Sequence, residues 1–246
     1  MKLATYNFQL GGGRDGGRHW QRLEDEIGAD VAFAQEASRP PGHSPRRRGG
    51  RTVWRRINER SWGSAVAVRG RVLEELSFGA LAGWLTGCVA ELDEGTTVSA
   101  ISVHTPTMQG QNYALLLTSV IAEIRRLNLD APLVLGGDLN VKSAGPRQPG
   151  EELGTSAAER AVIARISDEL GVVSCWDAAN PGSELPQTLR WSRSPEVPYH
   201  SDALFVAAGW KVIACEVLQR EPWPGMSDHF PVIAEVSPGS GAGTNP

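Results

Sequence analysis

Eight polar residues stand out because each sits where an apolar run ends or begins. Asn7 closes "KLATYN", Glu36 follows "VAFAQ", and His104 closes "VSAISVH". Asp138 and Asn140 end "PLVLGGDLN", Asp202 opens "DALFV", and Asp228-His229 precede "FPVIAEV". Taken one at a time, each has an ordinary explanation. Asn7 can be a structural amide, Glu36 a solvated strand end, and His104 a core histidine with a satisfied ring. Asp138 and Asn140 suit an Asx turn, Asp202 can cap a loop, and Asp228-His229 can form another turn. Together they fit one chemistry. Carboxylates and amide oxygens are hard ligands that suit Mg2+ or Mn2+. Histidines beside carboxylates transfer protons and bind phosphate near neutral pH. A divalent cation in such company polarises a phosphoryl oxygen and steadies a leaving group, which is the apparatus of phosphoester hydrolysis.

Residues so far apart in sequence need a rigid frame to bring them together. Lys2–Phe8 alternates and reads as a strand, "QLGGGRDGGR" breaks regular structure, and residues 18–27 read as a helix with Trp20, Leu23 and Ile27 on one face. "ADVAFAQEA" reads as a second strand, and residues 38–52 as a Pro/Gly/Arg-rich loop. "WGSAVAVRG" and "RVLEEL" suggest a tightly joined strand pair. "GWLTGCVAEL" and "TTVSAISVH" suggest another, turning at "DEGT". Residues 109–127 form the clearest helix and residues 156–170 a second one. Strands are expected over 133–138 and 201–206, in "WKVIACEVL" and in "FPVIAEV". Gly136 and Gly137 are expected to let the chain turn sharply and leave room for a substrate. Asp138 and Asn140, two apart, then share a side if strand geometry persists. Many strands with few helices predict one sheet-rich α/β domain over residues 1–237, followed by a disordered tail over 238–246.

The chain has 246 residues, 41% of them hydrophobic and 21% charged, with net charge −4. That is an ordinary globular composition, not that of a basic nucleic-acid coat. Residues 1–60 hold 12 Lys/Arg against 7 Asp/Glu, while the remainder holds 12 against 21. This asymmetry is compatible with an anion-facing side. Cys88, Cys175 and Cys215 are widely spaced and odd in number, which reads as apolar filler rather than a disulfide or zinc framework. The N-terminal apolar run is too short for a signal peptide, and no stretch is long enough to span a membrane. A soluble, cytoplasmic, monomeric protein is the expectation.

The order "TYN", "AQE", "VHTP", "GGDLN", "SD" and "SDHFPV" resembles the endonuclease/exonuclease/phosphatase superfamily from Asn7 to Val232. "GDLN" and "SDHFP" are the most specific pieces; "WGSAVAV" and "TLRW" add to them. The resemblance implies a four-layer α/β/β/α sandwich of two packed mixed sheets flanked by helices, with the site at one end of the sheets. It implies Glu36 as principal ligand of Mg2+ (or Mn2+), with Asn7 close to the ion and Asp228 near a metal or the water. Asp138 would orient or deprotonate that water, and Asn140 would hold the phosphate or the water. His229, oriented by Asp202, would bind a phosphate oxygen or act as base. His104 resembles the histidine of deoxyribonuclease-, sphingomyelinase- and deadenylase-type members, where apurinic endonucleases usually carry tyrosine. It would contact phosphate or protonate the leaving group, which a phenol with pKa about 10 does less readily. Ala203 departs from the Asp-Tyr pattern that many members of the family have there.

Arg46, Arg47 and Arg48 can grip phosphates, with Trp54 and Trp62 interleaved nearby, or can form a solvated loop. Arg14 and Arg18, on a glycine-rich rim near Asn7, can also reach a phosphate. The expected substrate is a phosphate ester, with nucleic acid or a nucleotide-like ester preferred. The alternatives are inositol phosphates or sphingolipids, and a non-catalytic binding protein on the same fold.

Overall fold

Twelve strands and four α-helices appear in the computed structural model, which describes residues 1–41, 52–106, 112–141, 157–183, 185–190, 199–220, 223 and 225–239. One sheet holds β1 (Lys2–Asn7), β2 (Val31–Ser38), β3 (Thr52–Arg56), β4 (Trp62–Val68), β11 (Lys211–Val217) and β12 (Val232–Ser237), in the order β11-β12-β1-β2-β4-β3. The other holds β5 (Gly70–Glu75), β6 (Leu85–Leu92), β7 (Thr97–His104), β8 (Leu133–Asp138), β9 (Val172–Ser174) and β10 (Asp202–Ala207), in the order β5-β6-β7-β8-β10-β9. Both sheets are mixed: β1–β2 and β7–β8 run parallel and the other pairs antiparallel.

The period-two alternation of each strand explains the layers. Leu3, Val31, Phe33 and Val66 from the first sheet meet Val98, Ala100, Val134, Leu204 and Val206 from the second in the core between them. The outward residues Ala4, Tyr6 and Ala34 pack under α1 (Gly16–Arg22) and the π-turn Leu23–Ile27, through Trp20, Leu23 and Ile27. On the far side, Ile101, Val103, Leu135 and Phe205 pack under α2 (Tyr113–Arg126) and α3 (Ala157–Leu170). Asn112 caps α2 by accepting from the Ala114 N–H at 2.8 Å, and Leu117, Val120, Ile121 and Ile124 form its buried stripe. Each such buried side chain contributes roughly 1.5–3 kcal/mol. The result is the expected α/β/β/α sandwich.

Several expectations change. β4 and β5 are consecutive but do not pair. β4 already lies between β2 and β3, so it has no free edge, and the chain crosses at Gly70 to the other sheet. Gly70 has φ 150°, and a Cβ there would meet Glu91 O at 2.1 Å. β3, β9 and the short α4 (Cys175–Ala179) were not legible; β3 and β9 are short strands at sheet edges. Gly136 and Gly137 make no turn. They lie inside β8, where a Cβ on Gly136 would stand 2.3 Å from Phe33 Cδ2, and one on Gly137 would stand 1.8 Å from Val103 O. They permit close packing, not substrate access. The three cysteines are free and buried, as filler should be. Residues 240–246 of the expected tail lie outside the described residues.

Candidate active site

The inner faces of the strands turn polar towards one end of the sandwich. Thr5, Gln35 and Ser102 occupy inward positions just above the apolar core. Thr5 Oγ1 donates to Gln35 Oε1 at 3.1 Å, and Gln35 Nε2 donates to Ser102 Oγ at 2.9 Å, tying the two sheets together. One step further lie the expected site residues. His104 is the register partner of Asp138, and Asp202 is its partner on the other side. Asn7, across the gap, donates from Nδ2 to Asp138 Oδ2 at 3.1 Å. Strand register brings His104, Asp138 and Asp202 together, and the packing of the two sheets adds Asn7.

Glu36 needs an additional device. The β2–β4 pairing shifts register between Ala34 and Ala37, and Glu36 adopts φ 45°. A bulge of this kind re-aims a side chain, and positive φ in a non-glycine residue is strain held by its surroundings. The Leu10 N–H, from the glycine-rich segment, donates to Glu36 Oε2 at 2.6 Å. Its other oxygen lies 3.7 Å from His104 Nε2.

Asp138 Oδ1 accepts from the Asn140 N–H at 2.9 Å, and Asn140 Nδ2 donates to Thr105 O at 3.0 Å. Strand geometry does not persist here. Asn140 has φ 52°, so an Asx turn, not the strand alternation, aims it.

His229 donates from Nδ1 to Asp202 Oδ2 at 2.8 Å. Its Nε2 faces Asp138 Oδ2 at 3.8 Å and Asp228 Oδ1 at 3.9 Å. Two residues that the sequence reading quoted only within motifs, without a role, hold this arm. Ser227 Oγ donates to Asn7 O at 2.8 Å and accepts from the His229 N–H at 3.1 Å. Thr188 Oγ1 accepts from the Ser201 and Asp202 N–H groups at 3.0 and 3.2 Å. Arg190 adds a bond from Nη2 to Ser227 O at 2.9 Å. "TLRW" and "SDHF" carried hints of these roles, but a hydroxyl's partner 220 residues away has no local signal.

Burial pushes the Glu36 and Asp138 carboxyls above the usual carboxylate range. Burial also pulls His104 down to about 4, so its ring is neutral. At His229 burial acts in the same direction, but the charge and hydrogen bond of Asp202, with Asp138 and Asp228, outweigh it and lift the ring to about 10. Asp138, Asp202 and His229 offer ligand atoms all within 4.8 Å of one another. A carboxylate on one ring nitrogen leaves the other open to a ligand, so this trio could hold a metal ion.

Of the arginines expected to touch substrate, Arg18 is exposed and lies 3.4 Å from Asp15. Arg14 belongs to the kinked segment Leu10–Asp15. Arg46, Arg47 and Arg48 lie outside the described residues. Among the described residues no helix is long and apolar enough to cross a membrane.

No family model and no curated protein matches the chain. Solved structures do. An apurinic/apyrimidinic (AP) endonuclease from Archaeoglobus fulgidus superposes with TM-score 0.71 at 18% identity, covering 96% of this chain and 98% of that one. A 3′ phosphatase from Neisseria, bound to product DNA hairpin, gives 0.70 at 18% identity, covering 96% and 99%. An endonuclease/exonuclease/phosphatase from Beutenbergia cavernae gives 0.64 at 19% identity, covering 97% and 72%. At these identities the likeness speaks to architecture: the chain has the DNase I-like fold of the endonuclease/exonuclease/phosphatase superfamily.

Proposed function

We propose that this protein is a divalent-metal-dependent phosphoester hydrolase acting on nucleic acid. The observation that carries the reading is His229. One ring nitrogen is held by Asp202, while the other faces Asp138 and Asp228 at 3.8 and 3.9 Å, beside Asn7 and Glu36.

A Mg2+ or Mn2+ ion fits the donor set. Glu36, Asp138, Asp202 and Asp228 converge, and their ion-pair partners among the described residues are His229 and the neutral His104. That surplus of hard, negative oxygen suits a dication. Glu36 would hold it with Asn7, and Asp228 would lie near it. When bound, such an ion polarises a phosphoryl oxygen and stabilises the leaving oxygen.

The protein's own groups supply the remaining chemistry. Asp138, fixed by Asn7 and the Asn140 N–H, orients a water and accepts its proton as the water oxygen bonds to phosphorus and the ester P–O bond breaks. His229, as imidazolium, donates from Nε2 to a phosphoryl oxygen where negative charge builds. Asn140 holds the phosphate from the other side. His104, being neutral, donates a hydrogen bond towards the leaving oxygen rather than a full proton. Nucleic acid is the preferred substrate because the Neisseria structure is described as DNA-bound and the Archaeoglobus one as an AP endonuclease.

The test is a hydrolysis panel of DNA with a 3′ phosphate or an abasic site, undamaged DNA, RNA, inositol phosphates and sphingomyelin, in Mg2+, Mn2+ or a chelator. The expected result is cation-dependent cleavage of a nucleic acid that Glu36→Gln reduces towards the chelated background. Hydrolysis of only inositol phosphates or sphingomyelin would replace the substrate assignment. Cation-independent or absent hydrolysis would overturn the reading.

A further inference from the structure

A different arginine lies beside the site. β3 and β4 are joined by a tight turn in which the Arg60 N–H donates to Ile57 O at 2.9 Å and the Ile57 N–H to Trp62 O at 3.1 Å. Asn58 takes the left-handed conformation, φ 47°. The turn lays the Arg60 side chain back over two indoles, with Cζ 4.4 Å from the Trp62 ring centroid and 5.5 Å from that of Trp84.

Those indoles are fixed. Trp62, Trp84 and Ile57 form a small buried cluster of their own. Gly83 lets the segment before Trp84 approach the hairpin, since a Cβ there would stand 2.2 Å from Arg56 O. Trp84 O accepts from the His104 N–H at 2.9 Å and from Ser64 Oγ at 3.3 Å. The same two rings wall His104, at centroid distances of 5.1 Å for Trp84 and 6.2 Å for Trp62. The platform under Arg60 is thus one wall of the candidate site.

The neighbouring arginines of the hairpin are engaged. Arg55 pairs with Glu75, and Arg56 lies 3.8 Å from Glu59. Arg60 is exposed and has no carboxylate partner among the described residues. A guanidinium resting on aromatic faces keeps its in-plane N–H fork free, and that fork matches a phosphate. Both indoles are buried, so they serve as a support and not as a base-stacking surface.

We propose that Arg60 binds a second phosphate of the substrate, next to the one hydrolysed and on the His104 side. The preferred substrate is then a nucleic-acid strand with a neighbouring phosphate, not an isolated ester. This rests on the phosphoester-hydrolase reading above.

The experiment compares wild type, Arg60→Ala and Arg60→Lys on a short oligonucleotide and on bis-p-nitrophenyl phosphate, which has a single phosphorus. Arg71→Ala on β5, whose arginine pairs with Glu91 at 2.6 Å, serves as the charge control. Arg60→Ala should raise KM for the oligonucleotide about tenfold or more, and its kcat/KM loss there should exceed the loss on the small diester by about the same factor. The slope of log binding constant against log salt should shrink by about 1 for Arg60→Ala. Arg60→Lys should restore most of the slope, and Arg71→Ala should leave it alone. Equal losses on both substrates would reduce Arg60 to a prop for His104 and overturn the proposal, as would an unchanged oligonucleotide KM. If wild type hydrolyses neither substrate, the hydrolase reading fails separately. Arg60 is then judged by oligonucleotide binding in chelator, where an unchanged affinity for Arg60→Ala overturns the proposal.

Discussion

His104 and His229 are both buried in one site, on neighbouring inner strand ends and loops, yet one ring is neutral and the other charged. His104 has aromatic walls, no hydrogen bond to either ring nitrogen among the described residues, and a pKa near 4. His229 has three carboxylates around its ring and a pKa near 10. Burial penalises the charged ring at both positions, so the partners decide the outcome. One site thereby holds a neutral ring and a charged one.

The most damaging way to break this contrast is Asp202→Asn. It keeps the shape but removes the charge that favours the imidazolium, so His229 should drift towards the behaviour of His104. Hydrolysis should fall about 10³-fold, and the His229 ring resonances should titrate well below their wild-type midpoint by NMR. An unchanged midpoint would separate His229 from Asp202. His104→Gln tests the other half. Since the ring supplies only a hydrogen bond, the expected kcat loss is smaller, about 10- to 100-fold, measured in the same assay; a loss matching Asp202→Asn would mark His104 as a true proton donor.

The pH profile sharpens both halves. A raised histidine pKa means that the cation is present below about 10 and lost as pH rises through it. Activity should therefore hold through about pH 9 and fall above. On the acid side, Glu36 and Asp138 have raised carboxyl pKa values and must be ionised, so activity should fall as pH drops into their range, at a higher pH than ordinary carboxylates would give. A rise centred on an ordinary histidine pKa would mean that His229 acts as the base instead.

A third buried histidine, His19, gives the smallest effect and concerns stability alone. It stacks on Phe8 at 4.8 Å, lies under Gly12, and has no hydrogen bond to either nitrogen among the described residues. Burial lowers its pKa from 6.5 to about 4. The unfolded chain then binds a proton that the folded chain does not, so stability is lost as pH falls from 6.5 towards 4. The wild-type melting temperature should drop over that window by several degrees more than that of His19→Leu. Equal drops would mean that the ring charges without cost.

The sequence made much of this site legible because its residue types cluster at the ends of apolar runs. Two-residue periodicity then puts Asn7, His104, Asp138 and Asp202 on the inner faces. The path of the chain between sheets was not legible. "WGSAVAV" followed by "RVLEEL" looks like a hairpin until β3 occupies the edge that β5 would need. The bulge that turns Glu36 and the Ser227–Asn7 bond depend on partners far along the chain. Gly136-Gly137 has the composition of a turn. Only the positions of Phe33 and Val103 show that the absent Cβ atoms are what let β8 pack. Arg60 was one arginine among many until its indole platform appeared beneath it.

The most direct measurement is hydrolysis of a DNA oligonucleotide in Mg2+ by wild type and by Asp138→Asn, whose side chain is close in shape but cannot accept the water's proton. The account predicts cleavage by wild type that chelation abolishes, and a rate for Asp138→Asn close to the chelated background with the fold intact by circular dichroism. Cleavage by Asp138→Asn at the wild-type rate would contradict it.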